Sequence, residues 1–273
     1  MSEWIHTAFY RFTPLQSPET VAERLRSLTK GLSGVILVAS EGINGTVAGE
    51  VAAVRAFEDA LWEDPAFAGA FSGMTFKRSE CKTVPFARMR VRVRAELVAF
   101  GARGVTGTQP ARHRALSSKE WRSLLQRDDI VLLDNRSHFE FRWGHFKNAV
   151  DPQVERFSDF QRFVSDKAEE WKAAGKTVAM YCTGGIRCEK TGAWMEAMGL
   201  EVVQLEGGIL QYFQEMPDAE QDWEGECFVF DNRIALNTRL EETAATAEEV
   251  FARPEDQWRL ERALRLKADC ENS

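Results

Sequence analysis

One run of the chain has residue types and spacing suited to sulfur chemistry: Tyr181-Cys182-Thr183-Gly184-Gly185-Ile186-Arg187-Cys188. Cys182 ends an apolar segment and precedes a glycine-rich turn that opens a helix. Such a turn aims successive backbone N–H groups inward, and a helix N-terminus adds partial positive charge. Both favour a thiolate, or a negatively charged terminal sulfur, at Cys182. Gly184 and Gly185 let the backbone curl close around that sulfur. Thr183 and Ile186 complete the loop, and Arg187 closes it with a permanent cation. A free cysteine can also be a small packing residue, but packing alone has no use for a Cys-x-x-Gly-x-Arg spacing. Cys188 falls in the first helical turn, where packing is the simpler role and a resolving thiol the alternative.

The elements that position this loop are legible on either side. Ser117 and Ser118 cap a helix carrying Trp121, Leu124 and Leu125, and Ile130–Asp134 reads as a strand ending in an acid. A helix over 157–174, a strand over 177–181, a helix over 187–198 and a strand over 202–205 continue the alternation. That pattern predicts an α/β fold with a doubly wound parallel sheet, which carries its sites at the carboxyl ends of strands, where Cys182 lies. The first hundred residues read differently. Strand Trp4–Phe12, a helix capped by Ser17-Pro18, strand 34–39, a turn through Glu41-Gly42-Ile43-Asn44-Gly45, helix Val51–Trp62 and strands near 74–77 and 89–98 follow the order β-α-β-β-α-β. This order predicts a ferredoxin-like α+β domain over 1–100. Residues 101–114, with glycines, a proline and no hydrophobic period, read as a linker. The second domain then spans 115–217. A C-terminal extension, 218–273, should contain a strand over 224–231 and a helix over 240–266.

Hydrophobic residues make up 44% of the 273, including 18 Phe and 8 Trp, enough for more than one core. No apolar run approaches the roughly 18–20 residues that cross a bilayer, and the N-terminus lacks a signal-peptide pattern, so the expected location is cytoplasmic. The five cysteines are scattered, which suits thiols rather than a disulfide framework. The net charge of −7 hides an asymmetry: between Lys77 and Arg114 ten basic residues face only Glu80 and Glu96, so this stretch is +8 and the remainder −15. Such a patch can recruit a polyanion. Arg88, Arg90, Arg92 and Arg94 alternate at period two and should share one strand face, where guanidiniums repel unless an anion is near. Carboxylates from the acidic remainder are the alternative partners. Phe86, Met89 or Phe100 could stack an unpaired base, although core packing is simpler. For Glu41 and Asn44, RNA contact and a purely structural turn weigh about equally.

The loop resembles the rhodanese family, with its Cys-x-x-Gly-x-Arg active site. The match extends through Leu133-Asp134-Asn135-Arg136, Phe139-Glu140, Gly144-His145-Phe146-Lys147-Asn148-Ala149 and Leu205-Glu206-Gly207-Gly208-Ile209. The resemblance implies a rhodanese-like sheet, Cys182 as the persulfide-forming nucleophile, and residues 183–187 binding its terminal sulfur. It places Asp134, Arg136 and His145 in supporting positions, the acid bonding a loop and the histidine packed beneath it. Related phosphatases carry five residues between Cys and Arg; four here suit a sulfur-sized cradle. Residues 39–46 (ASEGINGT), Ser79-Glu80-Cys81, Pro85-Phe86-Ala87-Arg88 and 225–233 (GECFVFDNR) resemble one rhodanese-containing bacterial family, the oxygen-dependent tRNA uridine-34 hydroxylases. That resemblance covers most of residues 1–237 and implies 5-hydroxyuridine formation at the wobble position, with the anticodon loop of tRNA as partner and O2 as co-substrate. The family's cysteine-rich tail is reduced here to Cys270.

Three functions follow for testing: wobble-uridine hydroxylation, sulfur transfer from thiosulfate or a persulfide donor, and a non-catalytic RNA-binding module. Intact Cys182 and Arg187 argue against the last. No metal cluster, dinucleotide motif or other cofactor site is evident around the four histidines, and the sequence names neither an electron donor nor an oligomeric state.

Overall fold

The computed structural model describes residues 4–271. The chain forms two units: residues up to 97, 230–234 and from 242 onward in the first, 98–229 and 235–241 in the second.

The first unit contains β1 (Trp4–Phe12), α1 (Pro18–Leu28), β2 (Ser33–Ala39), β3 (Gly42–Glu50), α2 (Val51–Glu63), β4 (Lys77–Glu80) and β5 (Met89–Val93). The sheet order is β4-β1-β3-β2-β5. The first four strands pair antiparallel, giving the expected ferredoxin-like arrangement, and β5 adds a parallel edge beside β2. Alternate strand residues Phe9, Ile36, Val38, Ile43 and Val47 are buried against Ala22 and Leu25 of α1 and Val54, Phe57 and Leu61 of α2, as a one-sided sheet requires. The expected turn over 41–45 is shorter than its glycines suggested: β3 already begins at Gly42, so Asn44 lies in a strand. Gly45 is needed for cross-strand crowding, since a Cβ there would meet the Phe9 ring at 2.8 Å.

The second unit contains β6 (Arg114–Leu116), α3 (Ser118–Leu124), β7 (Ile130–Asp134), α4 (His138–Trp143), β8 (Gly144–Phe146), α5 (Phe160–Ala173), β9 (Thr177–Tyr181), α6 (Ile186–Ala197), β10 (Glu201–Leu205), α7 (Gly208–Glu215), β11 (Trp223–Gly225), β12 (Cys227–Phe228) and β13 (Ala235–Leu236). Strands β6-β10-β9-β7 form an all-parallel sheet. Its two faces have separate cores. Leu132, Ala179, Tyr181 and Leu205 pack with Trp121 of α3 and Ile209, Tyr212 and Phe213 of α7. Their strand neighbours Leu133, Val178, Met180 and Val202 pack with Phe160, Val164, Ala168 and Trp171 of α5 and Met195 of α6. Near-continuous apolar strands covered on both faces are the mark of a doubly wound sheet. Residues 101–113 contain no helix or strand, and Arg112 N–H bonds Glu196 Oε2 at 2.9 Å.

The C-terminal segment is divided between the units. The expected strand over 224–231 is split into β11 and β12, and 230–234 returns to the first unit. There Arg233 grips Asp231 at 2.7 Å and donates to Ser79 Oγ at 2.7 Å, with Asp231 3.6 Å from His6 Nε2. Burial, then the Arg233 charge, lowers His6 to about 3, so the imidazole is neutral at ordinary pH. The expected helix over 240–266 is two helices, α8 (Ala247–Val250) and α9 (Gln257–Glu271), interrupted at Pro254. The Cys270 side chain lies outside the described residues. No helix among the described residues is long and apolar enough to cross a membrane.

Candidate active site

Cys182 is the first residue beyond β9, fully buried at the carboxyl end of the parallel sheet. Gly185, at φ +97°, caps α6 and donates its N–H to Cys182 Sγ at 3.1 Å. The Cys188 thiol, the Arg187 guanidinium and the backbone amides of Cys188 and Arg187 act electrostatically on the same sulfur. Burial alone would push the Cys182 thiol up. The Cys188 S–H, the Arg187 charge and the amides outweigh it, holding Cys182 well below the ordinary thiol range. The reverse holds for Cys188, which burial and the neighbouring Cys182 charge push well up, so it keeps its proton. The two thiols are thereby pushed in opposite directions.

Arg187 is itself held. Its two terminal nitrogens fork onto Glu140, Nη1 to Oε2 and Nη2 to Oε1, each at 2.8 Å, and Nη2 also reaches Thr183 Oγ1 at 3.3 Å. Glu140 is fully buried in α4 and accepts from Ser137 N–H at 3.1 Å. Burial pushes its carboxyl up, but Arg187 outweighs this and holds it below the usual range. A fork of this kind fixes the guanidinium's plane as well as its charge. Glu140 stands in a family-like string of the sequence, but nothing in its local pattern points to Arg187, 47 residues away.

A second fixture is Gly208, where α7 begins. Ile209 N–H donates to Cys182 O at 3.0 Å and Leu210 N–H to Thr183 O at 3.2 Å. Gly208 has φ +70°, and a Cβ there would meet Cys182 O at 2.4 Å and Gly185 N at 2.8 Å. The Gly207-Gly208 string thus clamps the cysteine loop from below.

Asp134 and Arg136 form a fully buried ion pair at 2.7 Å. Arg136 Nη2 donates to Gly144 O at 2.6 Å, and Tyr181 Oη donates to Asp134 Oδ2 at 2.7 Å. Arg136 also lies over the rings of Tyr181 and Trp223. The pair ties β7 to β8 and β9 at the end of the sheet that holds Cys182. Between them Asn135 donates Nδ2 to Thr191 Oγ1 at 2.9 Å and to Cys188 Sγ at 3.8 Å, a contact the sequence gave no sign of. His145 was expected beneath the strand end. It stacks on Phe141 at 3.9 Å, bonds the Phe141 carbonyl through Nδ1 at 2.9 Å, and lies 3.8 Å from Glu224. Pairing of β8 with β11 carries it there.

In the first unit Arg90 and Arg92 lie on β5, with Arg88 and Arg94 flanking the strand; Arg88, Arg92 and Arg94 are exposed and Arg90 is half-buried. Met89, Val91 and Val93 alternate with them and pack on the core. Register sets Arg92 beside Leu37, Leu37 beside Asn44 and Asn44 beside Tyr10, so these residues form one row on the sheet face away from α1 and α2. Lys77 sits over the Tyr10 ring at 5.3 Å. Tyr10 was not a candidate from sequence, because only the register brings it to the arginines. A cleft of about 480 Å³ lined by Arg26, Lys30, Arg90 and Arg92 borders the same edge. Two other cations of the basic stretch are spoken for, Arg78 by Glu58 at 2.7 Å and Arg114 by Glu120 at 3.1 Å. Glu41 is buried and accepts the Leu97 N–H at 2.8 Å, a structural duty. Phe100 is a core residue, Met89 packs on the first core, and Phe86 stacks on His6.

A cysteine in a glycine-rich loop at the end of a doubly wound parallel sheet defines a rhodanese-like domain, and residues 117–215 match the model of the rhodanese-like domain. Residues 4–97 match the UPF0176 acylphosphatase like domain. The chain is 43% identical over 241 residues to a protein of Nitrobacter hamburgensis, covering 86% of this chain and 92% of that one. It is 41% identical over 248 residues to one of Acinetobacter baumannii (88% and 75%) and 39% identical over 246 residues to one of Legionella pneumophila (88% and 93%). All three are named tRNA uridine(34) hydroxylase. The chain belongs to the tRNA uridine(34) hydroxylase family.

The clamp beneath the loop can be tested with a paired substitution. Gly208→Ala should destabilise the second unit by about 1–3 kcal/mol and abolish the low ionisation of Cys182, seen as slower thiol alkylation at pH 6–7. Gly175→Ala, at φ +62° with nothing within 4 Å of the added Cβ, should cost strain but leave alkylation unchanged. Equal alkylation of both variants would deny Gly208 its role.

Proposed function

We propose that the protein hydroxylates uridine-34 of tRNA to 5-hydroxyuridine with O2 as co-substrate and Cys182 as nucleophile. The observation that carries this is Cys182 buried at the end of the sheet, with the Gly185 N–H on its sulfur and Arg187 of the same loop fixed by Glu140, in a chain of this family. A thiolate adding to C6 of uracil turns C5 into an enolate-like carbon, and C5 is the position that must accept oxygen. The Gly185, Arg187 and Cys188 amides lower the cost of the sulfur's charge before attack and after release. The wobble base lies in the anticodon loop, whose unstacked bases are open to such attack. The row of Arg92, Asn44 and Tyr10, with Arg90 and the flanking Arg88 and Arg94, suits that partner: guanidiniums for the phosphate backbone and one ring for a base. A tRNA substrate supports a cytoplasmic location. Sulfur transfer is the competing use of a four-residue rhodanese loop.

Nucleoside mass spectrometry of tRNA separates the two. A deletion strain should lack 5-hydroxyuridine and its derivatives, wild-type protein should restore them, and Cys182→Ala should leave them at the deletion background. Loss of thiolated uridines with 5-hydroxyuridine intact would select sulfur transfer instead. For the partner, Arg90→Glu/Arg92→Glu should weaken tRNA binding about tenfold or more at low salt. It should also make the slope of log affinity against log salt roughly 1.5 units shallower. Unchanged affinity and slope would remove the arginines from the RNA surface.

A further inference from the structure

We infer that the cleft between the end of α1 and the edge strand β5 seats a phosphate of the bound tRNA, with Arg26 and Lys30 as RNA-binding residues beside Arg90 and Arg92. The inference rests on the proposed tRNA substrate and extends its footprint around the edge of the first sheet.

The path of the chain makes the cleft. α1 ends at Leu28 and β2 begins at Ser33, so residues 29–32 carry the helix end directly to the strand with which β5 pairs. Leu32 N–H bonds Thr29 O at 3.1 Å, which tightens that connection, and Gly31 takes the left-handed conformation it needs, φ +82°. β5 ends the sheet order β4-β1-β3-β2-β5 and has no strand on its outer side among the described residues. The backbone supplies a donor there. Arg88 O accepts from Gly34 N–H at 3.2 Å and Arg94 N–H donates to Val38 O at 2.8 Å, so the even-numbered residues turn their peptide groups to β2. Alternation directs the N–H and C=O of Val91 to the outer edge. Arg26 Nη2 donates to that carbonyl at 3.3 Å, and the N–H faces the cleft, which Val91 lines.

The charge of the cleft is of one sign. Arg26, Lys30, Arg90 and Arg92 line it, and none of its described lining residues is acidic. Arg26, Lys30 and Arg92 are exposed, so a ligand can reach them. Cations gathered in one cleft raise the local potential, and an anion relieves it. A basic residue in the last turn of a helix also complements the helix dipole, and Arg26 alone would need no other reason. The dipole does not account for Arg26 turning onto β5, or for two arginines of β5 meeting it there. Arg24, on the same helix, shows the ordinary arrangement, bonded to Asp64 at 2.7 Å.

Continuity selects RNA as the occupant. Arg92 belongs both to the row with Leu37, Asn44 and Tyr10 and to the cleft. An RNA strand that lies across the row and leaves the sheet over β5 meets the cleft next. A phosphate there can accept from a guanidinium, an ammonium and the Val91 amide together. No aromatic side chain lines the cleft, so it holds backbone rather than base and positions the RNA without reading its sequence.

The test compares three full-length proteins of native circular dichroism. They are wild type, Arg26→Gln/Lys30→Gln, and Arg24→Gln/Arg55→Gln, which removes the same charge from cations held by Asp64 and Glu58. Affinity for tRNA is measured across a salt series, and the Val91 amide is followed by NMR as inorganic phosphate is added at constant ionic strength. The cleft variant should bind tRNA about fivefold or more weakly at low salt, with the slope of log affinity against log salt about 0.7 units shallower. Phosphate should shift the Val91 amide saturably in wild type and in the control, and not in the cleft variant. The control should bind tRNA as wild type does. Wild-type affinity and slope in the cleft variant would overturn the inference; a phosphate response alone would assign the cleft to a free anion. Equal weakening in the control would overturn it by reducing the effect to net charge, and so would a Val91 amide that phosphate leaves unmoved in wild type. No tRNA binding by wild type would overturn the proposed substrate, and the inference with it.

Discussion

An ionised thiol removed from water loses several kcal/mol of hydration unless fixed donors replace it, and Cys182 is wholly removed from water. The second unit is organised around that requirement. The two glycines allow the chain to turn its amides onto the sulfur, and α6 begins where those amides converge. Gly208 leaves room for α7 to bond the loop's carbonyls, which fixes the other side of the same peptides. Charge is balanced pair by pair, Asp134 with Arg136 and Glu140 with Arg187, and Arg187 also lends its charge to the loop that holds Cys182.

The supporting pairs also explain how the sheet carries the site. Arg136 and Tyr181 converge on Asp134, and Tyr181 is surrounded by Trp121, Phe146 and Trp223. Burying such a network is costly unless nearly every polar atom is used. Its return is positional: β7, β8 and β9 are held in one arrangement at the point where Cys182 emerges. The first unit offers a contrast, because the row of Arg92, Leu37, Asn44 and Tyr10 is a surface rather than a pocket. It depends only on strand register and on α1 and α2 occupying the opposite face.

What could be read from the sequence was what is local. The loop from Cys182 to Arg187 is contiguous, so residue types alone exposed its chemistry. Both sheets were legible from the alternation of apolar strands and amphipathic helices, and the arginine alternation from a period of two. What escaped needed partners distant in the chain. Glu140, Asn135 and Gly208 acquire their roles only when α4, β7 and α7 meet the loop, and Tyr10 only through the register of β1 with β3. The hairpin before β3 was misplaced because its glycines were taken for turn formers, when Gly45 answers to the ring of Phe9. The return of 230–234 to the first unit was hidden because Asp231 and Arg233 find His6 and Ser79 at the other end of the chain.

The decisive quantity is the ionisation of Cys182 itself. It can be measured as the difference in ultraviolet thiolate absorbance between wild type and Cys182→Ser across a pH titration. A thiolate that persists as pH falls well below the ordinary thiol value of about 8.5, protonating only through a depressed pKa, is the expected result. A thiol that ionises at or above that value would mean the amides and Arg187 do not hold a charged sulfur, and would contradict the enzyme built around it.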